Sequence, residues 1–233
     1  MKDGYKVKIC GTTTLEDAML AAEAGADYLG VVIEVSFSPR SLTVTEAEGI
    51  FKSSPLPTVA LVFEMPEERL HFMLQSLRPF AVQFLSQEEP SLIEYLKKSY
   101  PEIQMWQSVH LPQSDISVDL QSIQATVQSY ITAGVDVLLF DTVAVMNGKT
   151  KFGGTGVTSD WNIVQELMQD VNIPVLLAGG INPDNTSVAL RSLGPTGIDL
   201  CSGVEAYPGK KDPLKLAALM LAVKEENKRR QMS

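Results

Sequence analysis

The sequence predicts an α/β protein in which eight parallel β-strands, each followed by an outer α-helix, close into a (β/α)8 barrel. First, short β-rich runs alternate with longer helical stretches through the whole chain of 233 residues. Second, the strand runs are almost continuously apolar, as expected of parallel strands covered by helices. Third, eight strand–helix units are the number that closes a barrel. We therefore expect one barrel domain over residues 1–233.

The first strand–helix unit has the clearest local signals. A β-rich run over residues 5–10 predicts a strand, and the next helix is expected over 14–24. Thr14 suits the N-cap position with acidic residues in the first turn, and Gly25 is where a C-terminal glycine would end the helix. Three similar units follow, with strands at 28–33, 58–62 and 80–84 and helices at 43–52, 66–77 and 90–100.

The second half of the chain repeats the pattern less regularly. Residues 117–129 are polar and poorly periodic, so the sequence leaves open whether the fifth helix is intact. The last helix is expected to end near Lys224 and to fray into a charged tail. The predicted strands are 103–109, 137–141, 173–178 and 197–200, and the predicted helices are 120–133, 159–169, 184–193 and 212–224.

A doubly wound open sheet is the rival arrangement for such alternating elements. That fold usually places the glycine fingerprint G-x-G-x-x-G directly after its first strand. Here the first strand ends in Cys10-Gly11-Thr12-Thr13, which does not match the fingerprint. No linker rich in Pro, Gly or Ser divides the chain either, so the closed TIM barrel is favoured.

Charge and cysteine content restrict the expected partners. The formal net charge of −9 gives no gain from counterion release, so we expect no nucleic acid partner. The two cysteines lie far apart in the chain without a C-x-x-C spacing, which argues against a zinc or disulfide framework. We see no signal peptide and no membrane-spanning run, and we expect a cytoplasmic protein with no membrane partner. A monomer and a homodimer both stay open.

In a barrel of this kind, functional side chains stand at the carboxyl ends of the strands. Lys8 and Cys10 lie on the same face of the first strand. A lone Cys in a strand is usually a small buried hydrophobe, whereas a buried Lys needs a carboxylate or a ligand. Asp141, at the end of the sixth strand, fits either a loop anchor or a general acid or base. Asp199, inside the eighth strand, is a candidate partner for Lys8.

Glycine-containing loops follow the last three strands. Glycine lets backbone N–H groups approach an anion closely, and the N-terminus of a following helix adds a favourable dipole. Loops after strands seven and eight are the usual phosphate site of this fold. A simple turn glycine explains any one loop, but three together predict a phosphorylated small molecule as ligand. The candidate binding residues are Gly154, Gly156, Gly179, Gly180, Ser202 and Gly203.

The two histidines, His71 and His110, are weak candidates for a site. His71 falls within a predicted helix, and His110 lies just past the fifth strand. We expect both to be surface or structurally satisfied side chains. No spacing of His, Asp and Glu indicates a metal. The C-terminus, rich in Lys and Glu, is interpreted as a solvated helix face.

Five segments of the chain form a specific combination. Residues 7–13 read VKICGTT and residues 38–41 read SPRS. The others are LFDT at 139–142 with the following GGTG, AGGINPDN at 178–185, and IDLCSGVEAYPGKKD at 198–212. Together they resemble the phosphoribosylanthranilate isomerase family of tryptophan biosynthesis, whose first segment reads VKICGIT. The likeness spans almost the whole chain and implies the same barrel.

The resemblance implies an Amadori rearrangement of N-(5-phosphoribosyl)anthranilate that needs no cofactor. The family uses a Cys as general base and an Asp as general acid, and these roles fall on Cys10 and Asp141. Asp141 would protonate the furanose ring oxygen, and the Cys10 thiolate would then take the proton from the sugar C2. Lys8 is a cation that favours such a thiolate. Arg40 matches the family residue that contacts the anthranilate carboxylate. The expected substrate-binding set is Lys8, Arg40, Asp199 and the glycine-loop residues.

The chain departs from the family pattern at the middle strands. Where the family has QLHG after strand four, this chain has Gln83-Phe84-Leu85-Ser86, and Glu64 follows strand three. The sequence does not show what takes the place of the missing His. These differences affect the side of the site expected to hold the aromatic acid. Two alternatives stay open: a paralogous barrel isomerase or epimerase for another sugar phosphate, and a non-catalytic protein that binds a phosphoribosyl ligand.

Overall fold

The computed structural model describes residues 4–112, 119–146, 149–152 and 161–232. Within these ranges the chain forms a closed barrel of eight parallel strands surrounded by helices, which confirms the predicted fold class. The barrel strands β1 to β8 are Lys6–Ile9, Tyr28–Ile33, Thr58–Val62, Ala81–Phe84, Gln104–Pro112, Val137–Met146, Val175–Leu177 and Gly197–Leu200.

The ring of strands closes between the first strand and the last. β1 pairs with β8 in the register that sets Lys8 opposite Asp199. On its other side β1 pairs with β2, where Lys8 lies opposite Tyr28. Closure into a barrel satisfies the backbone groups that an open sheet would leave at its edges. It also brings the two ends of the chain together along what we call the β1–β8 seam.

The helices lie outside the barrel, and the first of them has the predicted ends. The Thr14 side chain accepts a hydrogen bond from the Asp17 backbone N–H at 3.1 Å, and Gly25 ends the helix with φ of 103°. No helix among the described residues is long and apolar enough to cross a membrane. Helices α1 to α8 are Leu15–Ala24, Val44–Ser53, Glu67–Leu77, Pro90–Ser99, Leu120–Thr132, Trp161–Met168, Thr186–Leu193 and Pro213–Met232.

Alternation along the strands divides the apolar side chains into two clusters. On β1, Val7 and Ile9 pack in the large cluster between strands and helices, whereas Cys10 belongs to the cluster inside the barrel. Lys8 therefore points to the interior as well, since it shares a face with Cys10. The interior cluster consists of Cys10, Val32, Val35, Val59, Leu61, Ala81, Trp106, Val137, Leu139 and Leu176.

Strands five and six run further than the sequence predicted. β5 continues to Pro112 and β6 to Met146, instead of ending at residues 109 and 141. The backbone after β6 then folds back as the short antiparallel strand Lys149–Phe152. Residues 143–146 read VAVM, an apolar and β-prone run that supports the extension. The predicted loop residues Gly154 and Gly156 lie outside the described residues.

The last helix runs further than the sequence predicted. It was expected to fray after Lys224, but α8 continues to Met232. Its charged face is largely exposed, as predicted, for example at Lys224, Glu225 and Lys228, with one exception. Glu226 is buried and forms an ion pair with Arg191 of α7 at 3.6 Å. Asn227 accepts a hydrogen bond from the backbone at the start of the chain at 2.8 Å. Composition alone conceals such contacts, because a buried, paired Glu and a solvated Glu look the same in a sequence.

The close approach of strands at the β1–β8 seam generates a stability prediction. A Cβ atom on Gly197 would lie 2.2 Å from the Lys6 carbonyl oxygen, so Gly197→Ala should lower the free energy of unfolding by about 1–3 kcal/mol. Gly49 lies exposed within α2 and has open space around it, so Gly49→Ala should raise that free energy by about 0.5–1 kcal/mol. Urea unfolding of both variants measures these free energies. Equal changes in the free energy of unfolding for the two variants would refute the prediction.

Candidate active site

The carboxyl ends of the strands surround one cavity that contains most of the predicted site residues. Cys10 comes from the end of β1, Asp141 from β6 and Arg40 from the loop after β2. The loops after β7 and β8 contribute Gly179, Gly180 and Ser202. The cavity is lined by Cys10, Val32, Val35, Phe37, Ser38, Arg40, Leu61, Gln83, Leu85, Asp141, Ala178, Gly179, Gly180, Ile181, Asp199, Cys201 and Ser202.

Beneath this cavity lies a buried ion pair across the β1–β8 seam. Lys8 Nζ donates to Asp199 Oδ2 at 2.8 Å, and the Lys8 side chain is fully buried. Burial by itself lowers the pKa of Lys8, but the negative charge of Asp199, with a smaller contribution from Cys10, raises it above its ordinary value. Lys8 is thus a fixed ammonium group under the cavity, and Asp199 is the carboxylate that its buried position required.

Cys10 has a second thiol beside it, which the sequence analysis missed. The neighbouring Cys201 thiol is the largest cause that lowers the pKa of Cys10, aided by the charges of Lys8 and Lys211 and opposed by burial. The Cys201 thiol itself donates to Glu205 Oε1 at 3.9 Å. The pKa of Cys201 is raised well above its ordinary value by its contact with Cys10 and by burial. A negative charge is therefore favoured on Cys10 over Cys201, and a general base needs a sulfur that loses its proton readily.

Arg40 is held in place by Glu205, a residue to which the sequence assigned no role. Arg40 Nε and Nη2 donate to the two carboxylate oxygens of Glu205 at 2.8 and 2.5 Å. Lys211, itself fully buried, donates to Glu205 Oε1 at 3.0 Å and to the Cys10 carbonyl oxygen at 2.5 Å. Burial opposes ionisation of Glu205, but Arg40 and Lys211 lower its pKa. One buried carboxylate thus fixes the guanidinium at the cavity and connects it to the end of β1.

The loops after β7 and β8 pack directly on each other. Gly179 and Gly180 have φ values of 76° and 68°, a region that favours glycine. A Cβ atom on Gly203 would lie 2.3 Å from the Ile181 carbonyl oxygen, so only glycine permits this approach. Asn185 Nδ2 donates to the Gly180 carbonyl oxygen at 2.9 Å and braces the turn. These loops form a narrow backbone cradle of the kind that accepts a phosphate.

Ser86 and Leu85, which follow β4, differ in what they contact: Ser86 forms hydrogen bonds to neighbouring segments, and Leu85 presents an apolar side chain to the cavity. The Ser86 hydroxyl accepts a hydrogen bond from the Glu64 backbone N–H at 3.0 Å and donates to Glu88. Gln107 Nε2 donates to the Ser86 carbonyl oxygen at 2.8 Å. Ser86 thus ties two loops together, whereas Leu85 lines the cavity. Within the described residues, an apolar side chain borders the cavity at this strand exit.

The lining of the cavity combines apolar side chains with a fixed cation. Val35, Phe37 and Leu85 line the cavity, as does Arg40. The Phe37 ring packs edge-on against Phe63, with ring centroids 5.1 Å apart. A flat ring bearing a carboxylate matches this combination, because the ring contacts apolar surface while the guanidinium pairs with the anion.

The two histidines take structural positions. His71 Nδ1 lies 2.7 Å from the Tyr100 hydroxyl on the outside of the barrel. His110 Nε2 contacts the Leu85 carbonyl oxygen, and burial lowers the pKa of His110, so its neutral form is favoured. Among the described residues, no group of three or more His, Cys, Asp and Glu side chains is placed to hold a metal ion.

A barrel with a cysteine thiol and a carboxyl group facing one cavity, beside a phosphate-type loop pair, is typical of enzymes that move protons on phosphorylated small molecules. The family model described as N-(5'-phosphoribosyl)anthranilate isomerase matches residues 7–222. The chain therefore belongs to the phosphoribosylanthranilate isomerase family.

Individual relatives agree with this assignment. The chain is 35% identical to the N-(5'-phosphoribosyl)anthranilate isomerase of Methanocella arvoryzae over 211 residues, which cover 89% of this chain and 92% of that protein. It is 32% identical to the corresponding protein of Methanopyrus kandleri, covering 94% of this chain and 98% of that one. The Thermotoga maritima isomerase structure superposes with a TM-score of 0.78 at 27% identity, covering 95% of this chain and 99% of that one.

A further family structure contains a ligand. It is a phosphoribosylanthranilate isomerase in complex with reduced 1-(o-carboxyphenylamino)-1-deoxyribulose 5-phosphate. Its TM-score to this chain is 0.75 at 26% identity, covering 95% of this chain and 99% of that one. By its name, the molecule bound in that structure has a phosphate at one end and an aromatic carboxylate at the other.

The buried Lys8–Asp199 pair generates a second stability prediction. Lys8→Met leaves an unpaired carboxylate inside the barrel and should lower the free energy of unfolding by about 3–5 kcal/mol. The double variant Lys8→Met with Asp199→Leu removes both charges and should recover most of that loss. Chemical denaturation of the wild type and the two variants measures both effects. A single variant as stable as the wild type would contradict this account of the pair.

Proposed function

We propose that this protein is a phosphoribosylanthranilate isomerase that converts N-(5-phosphoribosyl)anthranilate to its 1-deoxyribulose 5-phosphate product in tryptophan biosynthesis. The observation that carries the proposal is the grouping of Cys10, Asp141 and Arg40 around one cavity whose rim is the paired loops after β7 and β8. The reaction is an intramolecular oxidation and reduction, so no external electron acceptor is needed and no cofactor is required.

The first step opens the sugar ring with Asp141 as the general acid. The Asp141 carboxyl group gives its proton to the furanose ring oxygen, and the bond between that oxygen and C1 breaks. The anthranilate nitrogen supplies its lone pair to C1, which becomes a protonated Schiff base. Asp141 is 7% exposed at the cavity, so little bulk water competes for the proton that it transfers.

The second step uses the Cys10 thiolate as the general base. Cys10 takes the proton from C2, and the electron pair of that C–H bond neutralises the Schiff base as an enolamine. Ketonisation then moves a proton from the C2 hydroxyl group to C1 and gives the ketone. The lowered pKa of Cys10 supports this role, because only the deprotonated sulfur accepts a proton.

Each end of the substrate has a subsite of matching chemistry. The 5-phosphate fits the backbone N–H groups of Gly179, Gly180 and Ser202, and the anthranilate carboxylate fits Arg40. Leu85 extends the apolar wall for the aromatic ring, so the loss of the family's His at this exit leaves a surface suited to that ring. This observation favours the isomerase over an epimerase for a substrate without an aromatic group.

We propose further that residues 1–233 form one catalytic barrel whose partner is the phosphorylated small molecule. The net charge of −9 argues against a nucleic acid partner. A monomer and a homodimer are both compatible with this assignment, since every proposed site residue comes from one chain.

Complementation of a tryptophan auxotroph that lacks this isomerase tests the function. The wild-type gene should restore growth, and Cys10→Ala and Asp141→Asn should each abolish it, since loss of a general acid or base costs about 100- to 10,000-fold in rate. Gly49→Ala, on an exposed helix position, is the matched control and should restore growth. Growth with both site variants would eliminate the mechanism. Purified protein that turns over another sugar phosphate instead would favour the paralogous isomerase.

The pH dependence of kcat/KM tests the state of Cys10. Because the base must be deprotonated in the free enzyme, kcat/KM rises as the pH passes through the pKa of Cys10. The lowered pKa moves this rise to lower pH than that of an ordinary thiol. Cys201→Ala removes the neighbouring thiol that contributes most to the shift, so the rise should move to higher pH. An unchanged profile in Cys201→Ala would show that Cys201 does not tune the base.

A further inference from the structure

The two cysteines face each other across the β1–β8 seam. The paired register continues from Lys8↔Asp199 to Ile9↔Leu200, and the Cys10 backbone N–H still donates to the Leu200 carbonyl oxygen at 2.8 Å. Side chains alternate along a strand, so the next pair on the face of Lys8 and Asp199 is Cys10 with Cys201. The ion pair between Lys8 and Asp199, one pair earlier on the same face, shows that side chains from the two strands are in contact there.

The separation of the two backbones suits a disulfide. Neighbouring strands lie about 4.8 Å apart, and disulfides join Cα atoms about 4.4–6.8 Å apart. A Cβ atom on Gly11 would lie 2.7 Å from Cys201 Sγ, so the Cys201 sulfur sits directly against the end of β1. Both cysteines are free thiols and both line the cavity, although Cys10 is only 7% exposed there.

We propose that Cys10 and Cys201 form a reversible redox pair that is oxidised to a disulfide by hydrogen peroxide or a related peroxide, which switches the enzyme off. The inactivation rests on the proposed function, because it follows from the role of Cys10 as the base. Formation of the bond itself rests only on the geometry of the seam. The effect of Cys201 on the pKa of Cys10 is the one part that this residue takes in the proposed isomerisation, and disulfide formation goes beyond that part.

The charges around the pair assign a different task to each sulfur. A Cβ atom on Gly30 would lie 3.0 Å from both Cys10 Sγ and Lys8 Nζ, so the Lys8 ammonium group lies beside the Cys10 sulfur. The Cys201 thiol donates to the Glu205 carboxylate at 3.9 Å, and this negative neighbour disfavours a thiolate on Cys201. Cys10 is therefore the more anionic sulfur, in agreement with its lowered pKa. Thiolates are the species that attack peroxides. Cys201, which keeps its proton, stands next to the sulfur that is oxidised first. This arrangement of an attacking and a resolving thiol is typical of redox-sensitive sites.

The chemistry balances in two steps. The Cys10 thiolate attacks one oxygen of hydrogen peroxide, the O–O bond breaks, and hydroxide leaves and takes a proton from solvent, which gives a sulfenic acid on Cys10. The Cys201 sulfur then attacks the Cys10 sulfur, the S–S bond forms, the S–O bond breaks, and the departing hydroxide takes the Cys201 proton. Two thiols are oxidised and one peroxide is reduced to two waters. A dithiol reductant reverses the change by thiol–disulfide exchange.

Mass spectrometry of the purified protein after treatment with a several-fold molar excess of hydrogen peroxide tests the proposal, because a disulfide consumes one peroxide and a sulfinic acid consumes two. We expect both free thiols to disappear together and the peptides containing Cys10 and Cys201 to be joined, with a mass lower by two hydrogen atoms. Isomerase activity should fall in parallel by nearly all of its initial value, and dithiothreitol should restore it. Two results would overturn the proposal. One is a free Cys201 thiol in protein whose Cys10 has become sulfinic acid, and the other is a disulfide that forms only between two chains.

Cys201→Ser and Cys201→Ala are the comparison variants, and circular dichroism verifies that each is folded. Without a resolving thiol, Cys10 should gain two oxygen atoms as sulfinic acid, and dithiothreitol should not restore whatever activity the variant had. If Cys10 in these variants resisted over-oxidation to sulfinic acid as well as it does in the wild type, the resolving role of Cys201 would be contradicted. The disulfide is read by mass, so it remains measurable even if Cys10→Ala retains activity and the proposed function of Cys10 fails.

Discussion

The ion pair between Lys8 and Asp199 is the interaction on which the site depends. It lies inside the barrel at the seam where the first strand meets the last, and it shows how the side chains of that face are aligned. A buried ammonium and a buried carboxylate are each costly alone, so the pair selects this register over its neighbours. One step above the pair, the same alignment brings Cys10 and Cys201 together at the base of the cavity.

A second buried network connects the C-terminal segment to Arg40 and to Cys10. Glu205 fixes the guanidinium of Arg40, and Lys211 joins Glu205 to the carbonyl oxygen of Cys10. Arg40, proposed to bind the aromatic acid, and Cys10, the proposed base, are therefore connected through one carboxylate. The stretch from residue 198 to 212 supplies a barrel strand, a glycine-containing loop and the support for both of these residues.

Much of the fold follows from local signals in the sequence, whereas much of the site does not. Apolar strand runs and the caps at Thr14 and Gly25 depend on neighbouring residues, so they were predictable. The contacts of Cys10 with Cys201 and of Arg40 with Glu205 join opposite ends of the chain, and only the closed strand register reveals them. The length of α8 was missed for the same reason, since its last turns are held by distant partners.

The most direct test of the central claim is a crystal structure of this protein with the reduced product analogue. We predict that its phosphate contacts the N–H groups of Gly179, Gly180 and Ser202 and that its carboxylate pairs with Arg40. The C2 atom should then lie against the Cys10 sulfur, with Asp141 on the ring-oxygen side. A ligand whose carboxylate lies away from Arg40, or whose C2 is remote from Cys10, would contradict the account.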